Sequence, residues 1–246
     1  MTTSPVAADS AADSMPLGVL YRDDYLVVVS KPSGLLMHRD ELHPDAPAAL
    51  QTVRDQVGQL VYPVQRLDRG TSGILVFALA SKIAARLQEA LGEAQTRKEY
   101  LALVRWPGAQ PELGDNWSNQ RPLQDHKEVA RSARTDFALV EVLHRCALVR
   151  ATLHSGRFHQ IRRHLNHDGR HVFGDTSHGK GRNNALYRER YGLWRLFLHM
   201  HHLVVRHPVT DVVLDLTDPL PAELQGVVQA LRADRESARV RIDSKS

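Results

Sequence analysis

Apolar residues in this chain come in short runs separated by charged and glycine-containing turns. Leu17 to Tyr21 and Tyr25 to Val29 are split by Arg22-Asp23-Asp24, a pattern that predicts a hairpin. Lys31-Pro32-Ser33-Gly34-Leu35-Leu36-Met37-His38 follows, where Pro and Gly force a loop. Leu50, Val53 and Val57 recur at helical spacing, so Ala48 to Val57 is predicted helical. Ile74-Leu75-Val76-Phe77-Ala78-Leu79 is almost pure hydrocarbon and reads as a strand buried on both faces. Ser81 is the expected N-cap of a helix through Ala94, with Ile83, Leu87 and Leu91 on one face.

A strand over Lys98 to Val104 comes next. Trp106 to Arg134 is polar and reads as a long irregular connection. Asp136 to Leu143 and Ala147 to Leu153 are predicted paired strands, and Ile161 and Leu165 share one helical face. Leu196 to Val205 and Val212 to Leu216 are further strands, and Pro219 to Leu231 is a closing helix with Pro221 near its first turn. There is no internal repeat. These elements fit an α+β layout of sheet and flanking helices. The expected organisation is a disordered tail over 1–16, one domain over 17–231 and a charged tail over 232–246.

Composition narrows the setting. The one cysteine, Cys146, excludes an intrachain disulfide and suits a reducing compartment. No stretch reaches transmembrane length, and Met1 to Pro16 lacks the basic start and apolar core of a signal peptide. A cytoplasmic protein without membrane contact is expected. The net charge of +4 says little, but residues 154–206 hold ten basic residues against three acidic ones. That local excess is the electrostatic footprint of a phosphate-backbone partner. Of the 32 basic residues 26 are Arg, the better group for phosphate and base contacts, although genomic base composition would give the same bias.

The chemistry gathers in Gln65-Arg66-Leu67-Asp68-Arg69-Gly70-Thr71-Ser72-Gly73, a charged loop feeding the central strand. Arg66 and Arg69 flank Asp68, so its carboxylate is expected to be ionised and held. In an arbitrary chain such an Asp is a turn residue paired with a neighbour. Here Arg-Leu-Asp-x-x-Thr-Ser-Gly resembles the catalytic motif of the RluA-type pseudouridine synthases. Four further stretches match that family in order. They are Lys31-Pro32-x-Gly34…His38, Lys98-x-Tyr100, Gly156-Arg157-Phe158-His159-Gln160-Ile161-Arg162-Arg163-His164-Leu165 and Val172-Phe173-Gly174-Asp175. His126-Lys127 and Ala130 to Thr135 resemble a fifth. One departure is Gln65, where the family usually has His.

The resemblance spans about Leu17 to Leu231. It implies a mixed, mostly antiparallel sheet flanked by helices, with an active-site cleft across its middle. It implies that Asp68 is the catalytic carboxylate, that Arg162 pairs with it, and that Tyr100 lies against the target base. Pseudouridine formation breaks the C1′–N1 bond, turns the uracil and rejoins it through C5, so the base must first leave its stack. The carboxylate attacks C1′ or C6, or assists glycosidic cleavage; aspartate suits all three. A buried carboxylate needs a fixed cation beside it. Tyr100 offers a flat face and a polar tip, with a part in moving the C5 proton, and Arg66 is placed to fill the space the base leaves. The expected RNA-contact set is Arg66, Arg69, Arg157, His159, Gln160, Arg163, Lys180 and Arg182. No cofactor or metal is called for, and no nucleotide-cradling glycine motif is present.

Gln51 to Gly58, and Arg162 to Leu165 followed by Gly174-Asp175-x-x-His178-Gly179, most resemble the branch of the family that acts on tRNA. The expected partner is therefore tRNA first and ribosomal RNA second, met by a monomer whose catalytic domain recognises RNA alone. Two other classes compete. His164, His167 and His171 at helical spacing, with His199, His201 and His202 on a strand, allow a metal-dependent nuclease or hydrolase, against which stand the missing His-Glu-x-x-His and cysteine pairs. A catalytically dead RNA-binding module is disfavoured because Asp68, Tyr100 and Arg162 all stand at matching places.

Overall fold

The computed structural model describes residues 15–39, 41–106 and 114–243, with side chains to 237. The hairpin forms as β1 (Gly18–Arg22) and β2 (Leu26–Lys31), joined where Asp23 Oδ1 accepts the Tyr25 and Leu26 amides. Helix α1 (Ala49–Val57) ends at Gly58 in the left-handed region, and β3 (Tyr62–Pro63) leads into the Asp68 loop. Then come β4 (Ser72–Ala78), α2 (Ser81–Ala90) and β5 (Arg97–Arg105). Strands β6 (Asn116–Asn119), β7 (Leu123–Gln124) and β8 (Ala130–Arg131) precede the long pair β9 (Thr135–Val142) and β10 (Cys146–Leu153). The chain closes with α3 (Gln160–His167), α4 (Gly181–Tyr191), β11 (Leu198–Arg206), β12 (Val213–Thr217) and α5 (Ala222–Asp243).

The strands make one sheet in the order β1-β2-β4-β11-β5-β10-β9-β6, with β3 on β4 and β12 on β11; β7 and β8 form a separate ribbon. Among the described strands every pairing is antiparallel except that of β4 with β11. The expected mixed, mostly antiparallel sheet is what forms. Alternation along β5 assigns its faces. Tyr100, Ala102 and Val104 join the larger core with β2, β4, α1 and α2. Leu103 turns to the other side, where Phe173, Phe197, Leu224 and Val228 make a second core under α5. All seven residues of β4 are buried, as its unbroken apolar run requires.

Gly73 makes the parallel junction possible. Its φ is +117°, and a Cβ there would stand 2.2 Å from the Met200 carbonyl oxygen of β11. Gly174 serves similarly beside β11, at φ +77° with the Arg195 carbonyl 1.9 Å from a would-be Cβ. Only glycine admits such backbones so close together.

Several boundaries differ from expectation. Ala80, not Ser81, is the N-cap of α2, without a side-chain bond, and the helix stops at Ala90 rather than Ala94 because Leu91 and Gly92 turn back on Leu87 and Glu89. The connection after Trp106 is not wholly irregular: Trp117 and Asn119 belong to the edge strand β6 on β9, while 107–113 lie outside the described residues. Helix α4 went unpredicted because it lacks an apolar stripe; Asn184 and Tyr187 are its buried residues. Helix α5 passes the expected end at Leu231 and runs to Asp243, so much of the expected charged tail is helical. Of the expected 1–16 tail, 1–14 lie outside the described residues.

Candidate active site

A cleft of about 910 Å³ crosses the middle of the sheet. Asp68, Tyr100 and Arg162, brought from the β3–β4 loop, β5 and α3, all line it. The loop carrying Asp68 is tied from below. Lys31, fully buried, donates from Nζ to the carbonyls of Pro32, Asp68, Arg69 and Thr71 at 2.9–3.4 Å. Ser33 Oγ donates to Gly70 O and the Gly34 amide to Arg69 O. Burial, aided by Arg195 and opposed by Asp68, pulls the Lys31 pKa down to about 7. The Lys-Pro-x-Gly stretch thus acts as the floor of the Asp68 loop. Gln65 also ties the loop, donating to Ile74 O at 3.1 Å.

The cation beside Asp68 is Arg162. Its Nη1 donates to Asp68 Oδ2 at 2.9 Å, while Nε and Nη2 donate to Asp175 Oδ2 and Oδ1 at 2.7 and 2.8 Å. Asp175 is buried and also accepts the Ser177 and His178 amides. Its two oxygens grip one edge of the guanidinium and aim the other edge at Asp68. Burial works against charge on both partners. On Arg162 the hydrogen bonds to Asp175 and Asp68 outweigh it and raise the pKa; on Asp175 the Arg162 and backbone donors outweigh it and lower the pKa. The expectation that Arg66 and Arg69 hold Asp68 needs correction. Arg69 Nε donates to Gly34 O, and Asp68 pairs with Arg162, with the His159 ring 3.7 Å away. The sequence singled out Gly174-Asp175 as a signature without a role; its role is to seat Arg162.

Tyr100 is 6 % exposed, facing the cleft from β5 between Ala151 of β10 and Met200 of β11. Burial and then the Asp68 charge raise its pKa well above the ordinary phenol value, so the hydroxyl is neutral. It presents a neutral hydroxyl and a flat ring to the cleft. His159 precedes α3 in the left-handed region, φ +52°, a turn that points its ring inward. Its Nε2 lies 3.7 Å from Asp68 Oδ2 and its Nδ1 3.0 Å from His178 Nε2. Burial is the first cause of its lowered pKa, with Asp68 opposing and Arg162 and His178 adding to the shift.

The expected RNA-contact set divides. Arg66, Arg69 and Arg157 are exposed and line the cleft. His159 lines it too, turned toward Asp68. Gln160 lines the cleft as well but is buried, its amide donating to Arg134 O and Thr135 Oγ1 and its oxygen accepting from Ser155 and Arg157, so its polar atoms knit the loop. Arg163 reaches Gln124 O, and Lys180 and Arg182 stand exposed at the start of α4; none of the three lines the cleft. The basic window is less of a face than its charge count implies. Arg162 and Arg170 are buried, Arg170 with its guanidinium 3.6 Å over the Trp106 ring, and Arg195 turns in to Ser72.

The histidines weighed as metal ligands do not converge. His199 sits between Ser72 and Asp218, His202 bridges Glu99 and Asp215, and His164 meets Thr135. Among the described residues no group of three His, Cys, Asp or Glu could hold a metal ion.

The family model for RNA pseudouridylate synthase matches residues 25–167, which include Asp68, Tyr100 and Arg162. The chain belongs to this family. A Vibrio cholerae protein named tRNA pseudouridine synthase C is 37 % identical over 230 residues, covering 86 % of this chain and 94 % of that one. A Haemophilus influenzae protein of the same name is 35 % identical over 233 residues, covering 85 % and 95 %. The fold is shared with human RNA pseudouridylate synthase domain containing 4, at TM-score 0.70 and 24 % identity over 87 % of this chain and 93 % of that one. The protein is therefore an RNA pseudouridine synthase, an isomerase. The metal-dependent hydrolase alternative is not favoured.

Proposed function

We propose that the protein isomerises a uridine in tRNA to pseudouridine, with residues 17–231 as the catalytic domain, working as a monomer in the cytoplasm. The observation that carries the chemistry is the Asp68 carboxylate in the cleft, 2.9 Å from an Arg162 that Asp175 anchors. The relatives' names support tRNA over ribosomal RNA. Among the described residues no helix is long and apolar enough to cross a membrane.

In this reading the uridine swings out of its stack into the cleft, and Tyr100 lies against the ring. Asp68 acts on the ribose or the base while the C1′–N1 bond breaks. The uracil turns and C5 bonds to C1′; C5 then gives up its proton to solvent while the freed N1 takes one up, so that no atom is gained or lost. Arg162 holds the carboxylate in place through its 2.9 Å hydrogen bond, and the Lys31 carbonyl knot holds the loop still. Fixed charges of this kind need no rearrangement as the reaction proceeds. Arg66, Arg69 and Arg157 meet phosphates at the rim.

The test is to incubate purified protein with total tRNA and total ribosomal RNA free of the modification, then map pseudouridine base by base. One new site in tRNA is expected. Efficient modification of ribosomal RNA with tRNA untouched would move the protein to the ribosomal members of the family.

A further inference from the structure

Phe158 occupies the variable position of Gly156-Arg157-Phe158-His159-Gln160, between an exposed arginine and the histidine that faces Asp68. Its side chain is 63 % exposed. Single exposed apolar residues are ordinary. This one differs by its place: of the large apolar side chains left exposed among the described residues, Phe158 alone lines the cleft. Its ring is stacked on His159, centroids 3.7 Å apart and planes 21° from parallel. One face of the ring is thereby held by a half-buried imidazole, and the other is open.

The cleft is larger than one uracil. At about 910 Å³ it lies near the top of the range of about 300–1,000 Å³ that takes whole drug-sized ligands. Tyr100, deep and 6 % exposed, offers a face to the target base. Flipping that base strips its neighbours of a stacking partner. An aromatic ring at the lip replaces the lost stack without reading sequence, because every base has a π-face. Arg66, Arg69 and Arg157 on the same rim supply the cations that a tightly turned phosphate backbone needs.

We propose that Phe158 is a stacking platform for the base that flanks the flipped uridine. This rests on the synthase reading and adds a second nucleotide subsite to it. The platform holds RNA and takes no part in bond exchange.

The experiment uses F158L, which keeps apolar bulk and loses the ring, and F158Y, which keeps the ring. Both are assayed on the tRNA transcript that wild-type protein modifies. F158L is expected to raise KM about tenfold, within the range of a lost base–aromatic stack, with the single-turnover rate at saturating RNA unchanged. F158Y is expected to restore the wild-type KM. In the Asp68→Asn background, 2-aminopurine on one side of the target should change fluorescence on binding, and F158L should abolish that change. A wild-type KM in F158L, a rate loss without a KM change, or no response from 2-aminopurine on either side overturns the platform alone. Wild-type protein that leaves every RNA unmodified overturns the synthase reading and the platform with it.

Discussion

Arg162 and Asp68 stand 94 residues apart in sequence, yet Nη1 and Oδ2 are 2.9 Å apart across the cleft. The contact depends on a third residue. Asp175 takes Nε and Nη2, fixing the guanidinium so that one donor edge is left for Asp68.

Asp68→Asn keeps the size and removes the charge. Turnover is expected to fall by at least about 10³-fold, the scale of losing a catalytic nucleophile. Binding to tRNA and the thermal melt should stay near wild type. Appreciable pseudouridine from a pure Asp68→Asn preparation would remove the carboxylate from the mechanism.

Arg162→Leu leaves Asp175 buried without its partner, a change that costs about 3–5 kcal/mol of stability. Arg162→Lys keeps a charge but not the fork, so it separates geometry from charge. For Arg162→Lys we expect roughly a 10²-fold loss in single-turnover rate and a change in Kd of only a few-fold, since one phosphate contact among many is small. Lost RNA binding with an intact rate on bound RNA would place Arg162 on the docking surface instead.

Gly73→Ala drives a Cβ into the Met200 carbonyl of β11. Urea unfolding should show a loss of at least about 3 kcal/mol, since overpacking and backbone strain act together. Gly34→Ala is the control: its φ is +88° but nothing lies within 4 Å of the added carbon. About 1–2 kcal/mol is expected there, from conformation alone. Equal losses in the two variants would show that the β4–β11 approach is not tight.

His202 couples three strands, with Nδ1 3.0 Å from Glu99 on β5 and Nε2 2.8 Å from Asp215 on β12. Burial opposes its charge, but the two carboxylates prevail and raise its pKa above 6.5. The folded state therefore binds the proton more tightly than the unfolded chain. The resulting stabilisation is complete below about 6.5 and is lost as pH rises through the folded-state pKa. Subtracting the unfolding free energy of His202→Gln from that of wild type, from about pH 5 to about pH 9, should give a difference that declines with pH. A flat difference would mean that His202 is neutral when folded.

Chelation offers a fifth check. His164, His199 and His202 hold protein partners, and the proposed route through Asp68, Tyr100 and Arg162 calls for no metal. Activity is expected to persist in EDTA as long as the RNA stays folded. A loss reversed by zinc alone would restore the metal-dependent alternative.

Most strands could be read from the chain because burial writes itself as runs and alternations, as in β4 and β5. Helix α4 could not, since it buries Asn184 and Tyr187 without an apolar stripe. Strand β6 escaped because Trp117 is the one large apolar residue in a four-residue edge strand. At the site, motif order located Asp68, Tyr100 and Arg162, but local charge misassigned the cation to Arg66 and Arg69. Sequence neighbours on an extended loop point outward, whereas the partner arrives through tertiary packing. The bonding of Gln160 could not be read from the chain either: only the fold shows Arg134, Thr135 and Ser155 closing round its amide.

The place of β11 in the sheet has a consequence for how the chain reaches this structure. It lies between β4 and β5, although it follows both by about a hundred residues. Until residues 198–206 have left the ribosome, β5 presents an open edge to solvent, β4 is uncovered at Ser72 and Gly73, and the cleft lacks Leu198. Such late, non-local closure makes for slow folding and a window of exposure to aggregation. A nascent chain paused before β11 is thus the form most in need of a chaperone.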